Sequence, residues 1–151
     1  MKFRIFFLYT ALLTGLGMPS CSDRSTQFPE VGDIALRWEL LGNSIDGQPG
    51  FKARFTIDNN SDMLLDDSNW RLFFNQGARL RHPPDPSAPA AVEHINGDWY
   101  KMEPNSGFRL EPGAQIDITY RGHEFLIKNS DRPLGAYFVF YARDGREEKI
   151  V

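Results

Sequence analysis

Residues 51–58, FKARFTID, alternate strictly between apolar and polar side chains. A repeat of two residues is typical of a β-strand that turns one face to a core and the other to solvent. Residues 34–40, IALRWEL, show the same alternation, and the apolar face holds Ile34, Leu36, Trp38 and Leu40. Residues 43–50, which lie between the two runs, contain two glycines, an Asn and an Asp, and these residue types tolerate turn conformations. We therefore expect residues 34–58 to form a β-hairpin.

The same pattern continues toward the carboxyl end. Apolar side chains alternate in three further runs, at Trp70, Leu72 and Phe74, at Ile116, Ile118 and Tyr120, and in residues 135–142. In the last run Phe138 and Phe140 share one face, while Tyr137 and Tyr141 share the other. A strand that is apolar on both faces is expected in the middle of a sheet.

Turn signals separate these runs. Asn96-Gly97 lies between two β-rich segments, which is a strong signal for a hairpin. Residues 81–91 hold four prolines and are predicted to be a surface loop, because proline cannot donate to a sheet ladder. Amphipathic stretches of helical period are lacking. Seven or eight short strands predict an all-β fold, an antiparallel immunoglobulin-like β-sandwich.

Length and composition exclude several classes of protein. The 151 residues allow one domain, whereas a (β/α)8 barrel takes about 250 residues. The single cysteine cannot form a disulfide within the chain. A formal charge of -3 with scattered Lys and Arg argues against a nucleic-acid partner.

The amino terminus has the layout of a secretory signal. Lys2 and Arg4 precede an apolar run, residues 5–16, and turn-forming residues follow before Cys21. The run is shorter than the roughly 20 residues that span a bilayer. Ser20-Cys21 resembles the end of a bacterial lipoprotein signal, which predicts lipidation of Cys21 and a membrane partner through the lipid anchor. The alternative is a chance cysteine after a conventional signal.

These features divide the chain into a signal peptide over residues 1–20, a lipidated tether over 21–30 and a sandwich domain over 31–151. We expect an exported protein, lipid-anchored at the bacterial outer membrane or in the periplasm.

Motifs for metal binding or catalysis are largely missing. His82, His94 and His123 are isolated and do not have the spacing of a zinc site. Four aspartates around two turns could hold calcium, although turn formation is the simpler interpretation: Asp58, Asp62, Asp66 and Asp67. Neither a Gly-x-Ser-x-Gly elbow nor a Gly-rich phosphate loop occurs. The sequence predicts no catalytic residue, no metal and no cofactor.

Aromatic side chains are the remaining candidates for a functional site. Trp38 and Trp70 are in phase with apolar neighbours and are predicted to lie in the core. Trp99 shares with Lys101 the strand face opposite to Tyr100, beside the Asn96-Gly97 turn. It could be a platform on which a sugar stacks, or it could pack under the proline-rich loop. Tyr137 and Tyr141 are weaker candidates of the same kind.

Several segments together resemble a known family. They are residues 36–43 (LRWELLGN), 51–59 (FKARFTIDN), 69–75 (NWRLFFN), 94–104 (HINGDWYKMEP), 108–113 (FRLEPG) and 131–140 (DRPLGAYFVF). In this order and spacing they are similar to the amino-terminal domain of bacterial chitobiases, the β-N-acetylhexosaminidases of glycoside hydrolase family 20. The resemblance implies a β-sandwich similar to cellulose-binding modules, regarded as a carbohydrate-binding domain ahead of the catalytic barrel.

The resemblance does not extend to the catalytic machinery. In these hydrolases an adjacent Asp-Glu pair in the barrel supports the reaction, and this sequence contains no Asp-Glu dipeptide. We therefore expect a non-catalytic accessory domain that binds glycans containing N-acetylglucosamine, with Trp99, Lys101, Tyr137 and Tyr141 as candidate binding residues. The alternative is a structural domain that packs on a hexosaminidase catalytic domain and binds no sugar.

Overall fold

The computed structural model describes residues 28–45, 47–81, 87–142 and 148–151. These residues form ten β-strands: β1 (Ile34–Ile45), β2 (Gln48–Asn59), β3 (Leu65–Asp66), β4 (Trp70–Asn75), β5 (Ala90–Asn96), β6 (Trp99–Pro104), β7 (Arg109–Leu110), β8 (Gln115–Gly122), β9 (Leu134–Tyr141) and β10 (Glu148–Ile150). One turn of 3-10 helix covers Asn129–Asp131. Within the described ranges no helix has the length and apolar character needed to cross a membrane.

The strands form two antiparallel sheets that face each other. One sheet has three strands in the order β1-β2-β8, and the other has five in the order β10-β9-β4-β6-β5. A small ladder, β3-β7, lies beside them. The prediction of an antiparallel β-sandwich is confirmed.

The core lies between the two sheets and is rich in aromatic rings. Phe55 of β2 meets Phe74 of β4 edge to face, with ring centroids 5.1 Å apart. The apolar residues that the alternation assigned to β2 and β4 are buried: Phe51, Ala53, Phe55, Ile57, Trp70, Leu72 and Phe74. Burial of these side chains is the main source of stability in a domain of this size.

The predicted hairpins are also present. In the first hairpin Trp38 of β1 lies opposite Phe55 of β2, and the connection contains Gly47 with φ +72°. In the second, β5 joins β6 through Gly97 with φ +54°, a conformation that glycine adopts without steric cost.

A chain of hydrogen bonds links the two sheets. The Trp38 indole N–H donates to the Tyr120 hydroxyl at 2.7 Å, and that hydroxyl donates to Gln76 Oε1 at 3.2 Å. The Gln76 amide in turn donates to the backbone carbonyl of Asp131. Gln76 is 1% exposed, so the chain satisfies polar groups that water cannot reach.

Three details differ from the sequence-based expectations. Trp38 is only partly buried, because β1 is the edge strand of its sheet. The domain includes residues 28–30, which the sequence pattern places in the tether: Phe28 packs on the core, and Glu30 pairs with Lys149 at 2.6 Å. The predicted loop over 81–91 ends earlier, since β5 begins at Ala90.

Other predictions fall outside the described residues. They concern the signal peptide over residues 1–20, Cys21 with its lipid, most of the tether, and residues 82–86 of the proline-rich loop, including His82.

Candidate functional site

The outer face of the five-stranded sheet carries the candidate site. Strands β9, β4 and β6 are neighbours, and Phe73 on β4 lies opposite Tyr137 on one side and Lys101 on the other. Side chains alternate along each strand, so every second residue of the three strands points away from the core. This face brings together residues that are far apart in the sequence.

Three rings form a row across the strands, which we call the aromatic row: Tyr137, Phe73 and Trp99. The centroids of Phe73 and Tyr137 are 5.3 Å apart and their planes differ by 12°. Phe73 and Trp99 are 5.7 Å apart with planes at 35°. Cross-strand aromatic pairs of this kind stabilise a sheet by about 0.2–1 kcal/mol each.

A second row, the charged row, crosses the same face next to the rings and consists of Glu93, Lys101, Glu103 and Arg71. Lys101 Nζ lies 2.8 Å from Glu93 Oε2 and 3.1 Å from Glu103 Oε1. Glu103 Oε1 also accepts from Arg71 Nε at 2.6 Å. The Arg71 guanidinium lies 5.9 Å from the centre of the Tyr141 ring, within the range of a cation–π contact.

The ion pairs favour the charged forms of Lys101 and Glu103. The hydrogen bond from Lys101 to Glu93 raises the pKa of Lys101 above its ordinary value, although desolvation opposes the shift. Burial tends to raise the pKa of Glu103, but the hydrogen bonds from Lys101 and Arg71 outweigh it, and this pKa lies below its ordinary value. Two cations and two carboxylates therefore leave the row with no net charge near neutral pH.

A shallow depression of ≈ 740 Å³ lies over the charged row. Phe73 forms part of its wall on the side of the aromatic row. The lining comes from β4, β5, β6 and β9 and from the residues next to these strands: Ser68, Arg71, Phe73, Glu93, His94, Ile95, Lys101, Glu103, Tyr141 and Ala142. The depression combines an apolar wall with groups that can donate and accept hydrogen bonds.

All four candidates from the sequence lie on this face. Trp99 is 37% exposed and packs against Phe73. Lys101 belongs to the charged row, Tyr137 to the aromatic row, and Tyr141 lines the depression. Their assignment as binding residues stays a prediction.

Sequence reasoning missed the β4 residues and the carboxylates of this face. Phe73 and Arg71 alternate with the buried Trp70, Leu72 and Phe74. This alternation was the signal that could have placed both side chains on the outer face. Glu93 and Glu103 become recognisable only once the register places them on either side of Lys101.

The described part of the chain provides no metal centre. Among these residues no three His, Cys, Asp or Glu side chains are grouped closely enough to hold a metal ion. Three of the four aspartates considered for calcium have structural partners: Asp58 pairs with Arg37, Asp66 accepts from the Ser68 backbone, and Asp67 accepts from the Gly107 backbone.

A sandwich with exposed rings beside hydrogen-bonding groups on one sheet face has the features of a carbohydrate-binding domain, since ring faces suit apolar sugar faces and polar groups suit hydroxyls. Residues 42–151 match the family model CHB_HEX, described as "Putative carbohydrate binding domain". The chain belongs to this family.

Solved structures share the fold. One is the GH20 exo-β-N-acetylglucosaminidase of Vibrio harveyi in complex with N-acetylglucosamine, which matches with a TM-score of 0.62 and 17% identity. The D437A inactive mutant of this enzyme matches with a TM-score of 0.60 and 17% identity. In both cases the match covers 79% of this chain but only 17% of the enzyme. Chitinase ChiA74 of Bacillus thuringiensis matches with a TM-score of 0.50 and 16% identity, over 68% of this chain and 14% of that one. A comparison with curated proteins finds no match.

Proposed function

We propose that this domain binds glycans that contain N-acetylglucosamine, without catalysing a reaction, on the outer face of the five-stranded sheet. The observation that carries the proposal is the aromatic row beside the charged row, on a domain of a carbohydrate-binding family. The Vibrio harveyi enzyme was solved in complex with N-acetylglucosamine, which supports the choice of sugar.

The roles of the side chains follow from their chemistry. Trp99 is 37% exposed, and the exposed part of its ring is the surface on which a pyranose ring stacks. Glu103 and Arg71 supply an acceptor and donors for hydroxyl and acetamido groups. Hydrogen bonds to charged groups contribute about 1.5–3 kcal/mol each, so a few of them are sufficient for weak, specific binding.

Titration of the full chain with chitooligosaccharides tests this proposal. We expect saturable binding, and loss of binding in Trp99→Ala while the circular dichroism spectrum is unchanged. Trp38→Phe is the matched control, because Trp38 is a partly exposed tryptophan of the other sheet. The proposal is wrong if the folded protein does not bind at millimolar ligand.

We also propose that the protein is exported and anchored through a lipid on Cys21, as its signal-like amino terminus predicts. Metabolic labelling with palmitate should mark the protein, and Cys21→Ser should remove the label. For the non-catalytic role, the purified protein should release no nitrophenol from a nitrophenyl N-acetylglucosaminide.

A second candidate function is that of a structural domain that packs on a hexosaminidase catalytic domain. It is favoured by a groove of ≈ 370 Å³ between the edge strand β1 and the start of β9, in which apolar side chains lie beside Arg132. Trp38 and Leu36 form one side of this groove, and Leu134, which is 51% exposed, forms the other. Leu134→Glu should abolish association with such a catalytic domain and leave glycan affinity unchanged. A GH20 barrel encoded downstream, in or out of frame, would identify the partner.

A further inference from the structure

From the geometry of the aromatic row we infer that the site takes a single solvated glycan chain in the depression and does not adhere to a crystalline polysaccharide surface. This inference rests on the proposed function. It concerns the physical form of the ligand, which the family match does not specify.

The rings of the row do not lie side by side in one plane. Carbon atoms in contact are about 3.5–4.0 Å apart, so two rings lying side by side in one plane would clash at a centroid distance of 5.3 Å. Phe73 and Tyr137, with nearly parallel planes, must therefore cover each other face to face with an offset. Trp99, on the strand at the other side of β4, lies 5.7 Å from Phe73 with its plane tilted by 35°.

A flat crystal face needs several coplanar ring faces turned to solvent. In this row Phe73 and Tyr137 stack on each other, and the plane of Trp99 is tilted by 35° from that of Phe73, so the three ring faces are not coplanar. The row is therefore not a flat platform, and Phe73 is the ring through which it borders the depression.

The two cations of the site are also partly buried. The side chains of Lys101 and Arg71 are each 23% exposed, and they line the depression. A chain of sugars can enter the depression and reach them, whereas the face of a crystal cannot. Glu103 binds both cations through Oε1. A carboxylate has two acceptor oxygens, so Glu103 can also accept from a hydroxyl or an acetamido N–H.

The charged row also selects for a ligand without net charge. Lys101 and Arg71 are each held by a carboxylate, so an anionic sugar would not find an unneutralised cation in this row. Because the four side chains hold one another in place, little of their conformational freedom remains to be lost when the chain binds.

The test compares two forms of one polymer on the full chain. Soluble chitohexaose is measured by titration, and crystalline chitin by sedimentation with and without saturating chitohexaose. We expect binding of chitohexaose and little retention on crystalline chitin. Retention that chitohexaose does not displace, or binding to crystalline chitin alone, would overturn the inference while leaving the proposed function intact. Binding to neither form refutes the proposed function and the inference with it.

Substitutions locate the site independently of the polymer form. Glu103→Gln should weaken chitohexaose binding about tenfold, because it removes a charged acceptor from the depression. Asp117→Asn is the matched control, since Asp117 is a carboxylate paired with Arg54 on the outer face of the other sheet. Equal affinities of the two variants, both folded by circular dichroism, would place the ligand outside the depression.

Discussion

The hydrogen-bond chain between the sheets gives a sharp test of what holds the sandwich together. Tyr120→Phe removes one hydroxyl and keeps the ring, which stacks on Phe55 at 5.4 Å and meets Phe51 edge to face at 5.9 Å. The substitution therefore changes hydrogen bonding and leaves packing almost untouched.

The expected loss follows from the partners of that hydroxyl. Two hydrogen bonds disappear, one from Trp38 and one to Gln76, and Gln76 Oε1 stays buried without a donor. Each hydrogen bond contributes about 1 kcal/mol net, and an unsatisfied buried group costs about 1–3 kcal/mol. We expect unfolding to become easier by about 2–4 kcal/mol, a large part of the 5–15 kcal/mol typical of a domain.

Urea unfolding followed by circular dichroism measures this loss, and the slope m should not change because the buried surface does not. Tyr100→Phe is the control, since Tyr100 is a buried tyrosine that also stacks on a core ring, Phe74, and lies outside this chain of hydrogen bonds. If the free energy of unfolding of Tyr120→Phe lies within about 0.5 kcal/mol of that of Tyr100→Phe, the chain of hydrogen bonds does not stabilise the sandwich.

Three further predictions concern stability. Burial raises the pKa of Tyr120, so its hydroxyl ionises at a lower pH in the unfolded state than in the folded state. The free energy of unfolding should therefore fall above about pH 10, by up to about 1.4 kcal/mol per pH unit. Over that range the urea midpoint should fall less steeply with pH in Tyr120→Phe than in the original protein. Gly122→Ala should lower the free energy of unfolding by about 1–3 kcal/mol in the same assay, because a Cβ there would lie 2.0 Å from Phe51 Cε1. Gly77→Ala is the control: a Cβ at Gly77 meets open space, so the change should be less than about 1 kcal/mol. The pKa of Glu103 is lowered in the folded state, so the ionised carboxylate stabilises the fold above its ordinary pKa, and this stabilisation is lost as the pH falls through the folded-state pKa. In Glu103→Gln the free energy of unfolding should therefore depend less on pH on the acid side.

Local alternation was enough to predict the longer strands and the faces of their side chains, but not the two-residue strands β3 and β7. The period of two in residues 51–58 predicted a strand whose apolar residues are all buried, and the phase of Tyr100 placed Trp99 and Lys101 together on the outer face. These predictions succeeded because side-chain direction in a strand depends only on sequence position.

The composition of the site could not be predicted in the same way. Phe73 and Phe74 are adjacent and must point to opposite faces, so one of them had to lie outside the core, but local periodicity does not say what it meets there. That depends on the order β9-β4-β6, which pairs residues 70–75 with both 99–102 and 134–140. The burial of Trp38 was overestimated for a related reason, since position at a sheet edge is also set by strand order.

The two outer faces of the sandwich show which features a stable sheet requires. On the three-stranded sheet Arg54 pairs with Glu39 and Asp117 across neighbouring strands, so a row of ion pairs alone is compatible with a solvated face. The five-stranded sheet has a comparable row and adds three rings beside it, the last of them exposed next to a turn. Stacking on Tyr137 accounts for the position of Phe73. The contact with Phe73 accounts for only part of the Trp99 ring, and under the proposed function the exposed remainder is the surface on which a sugar stacks.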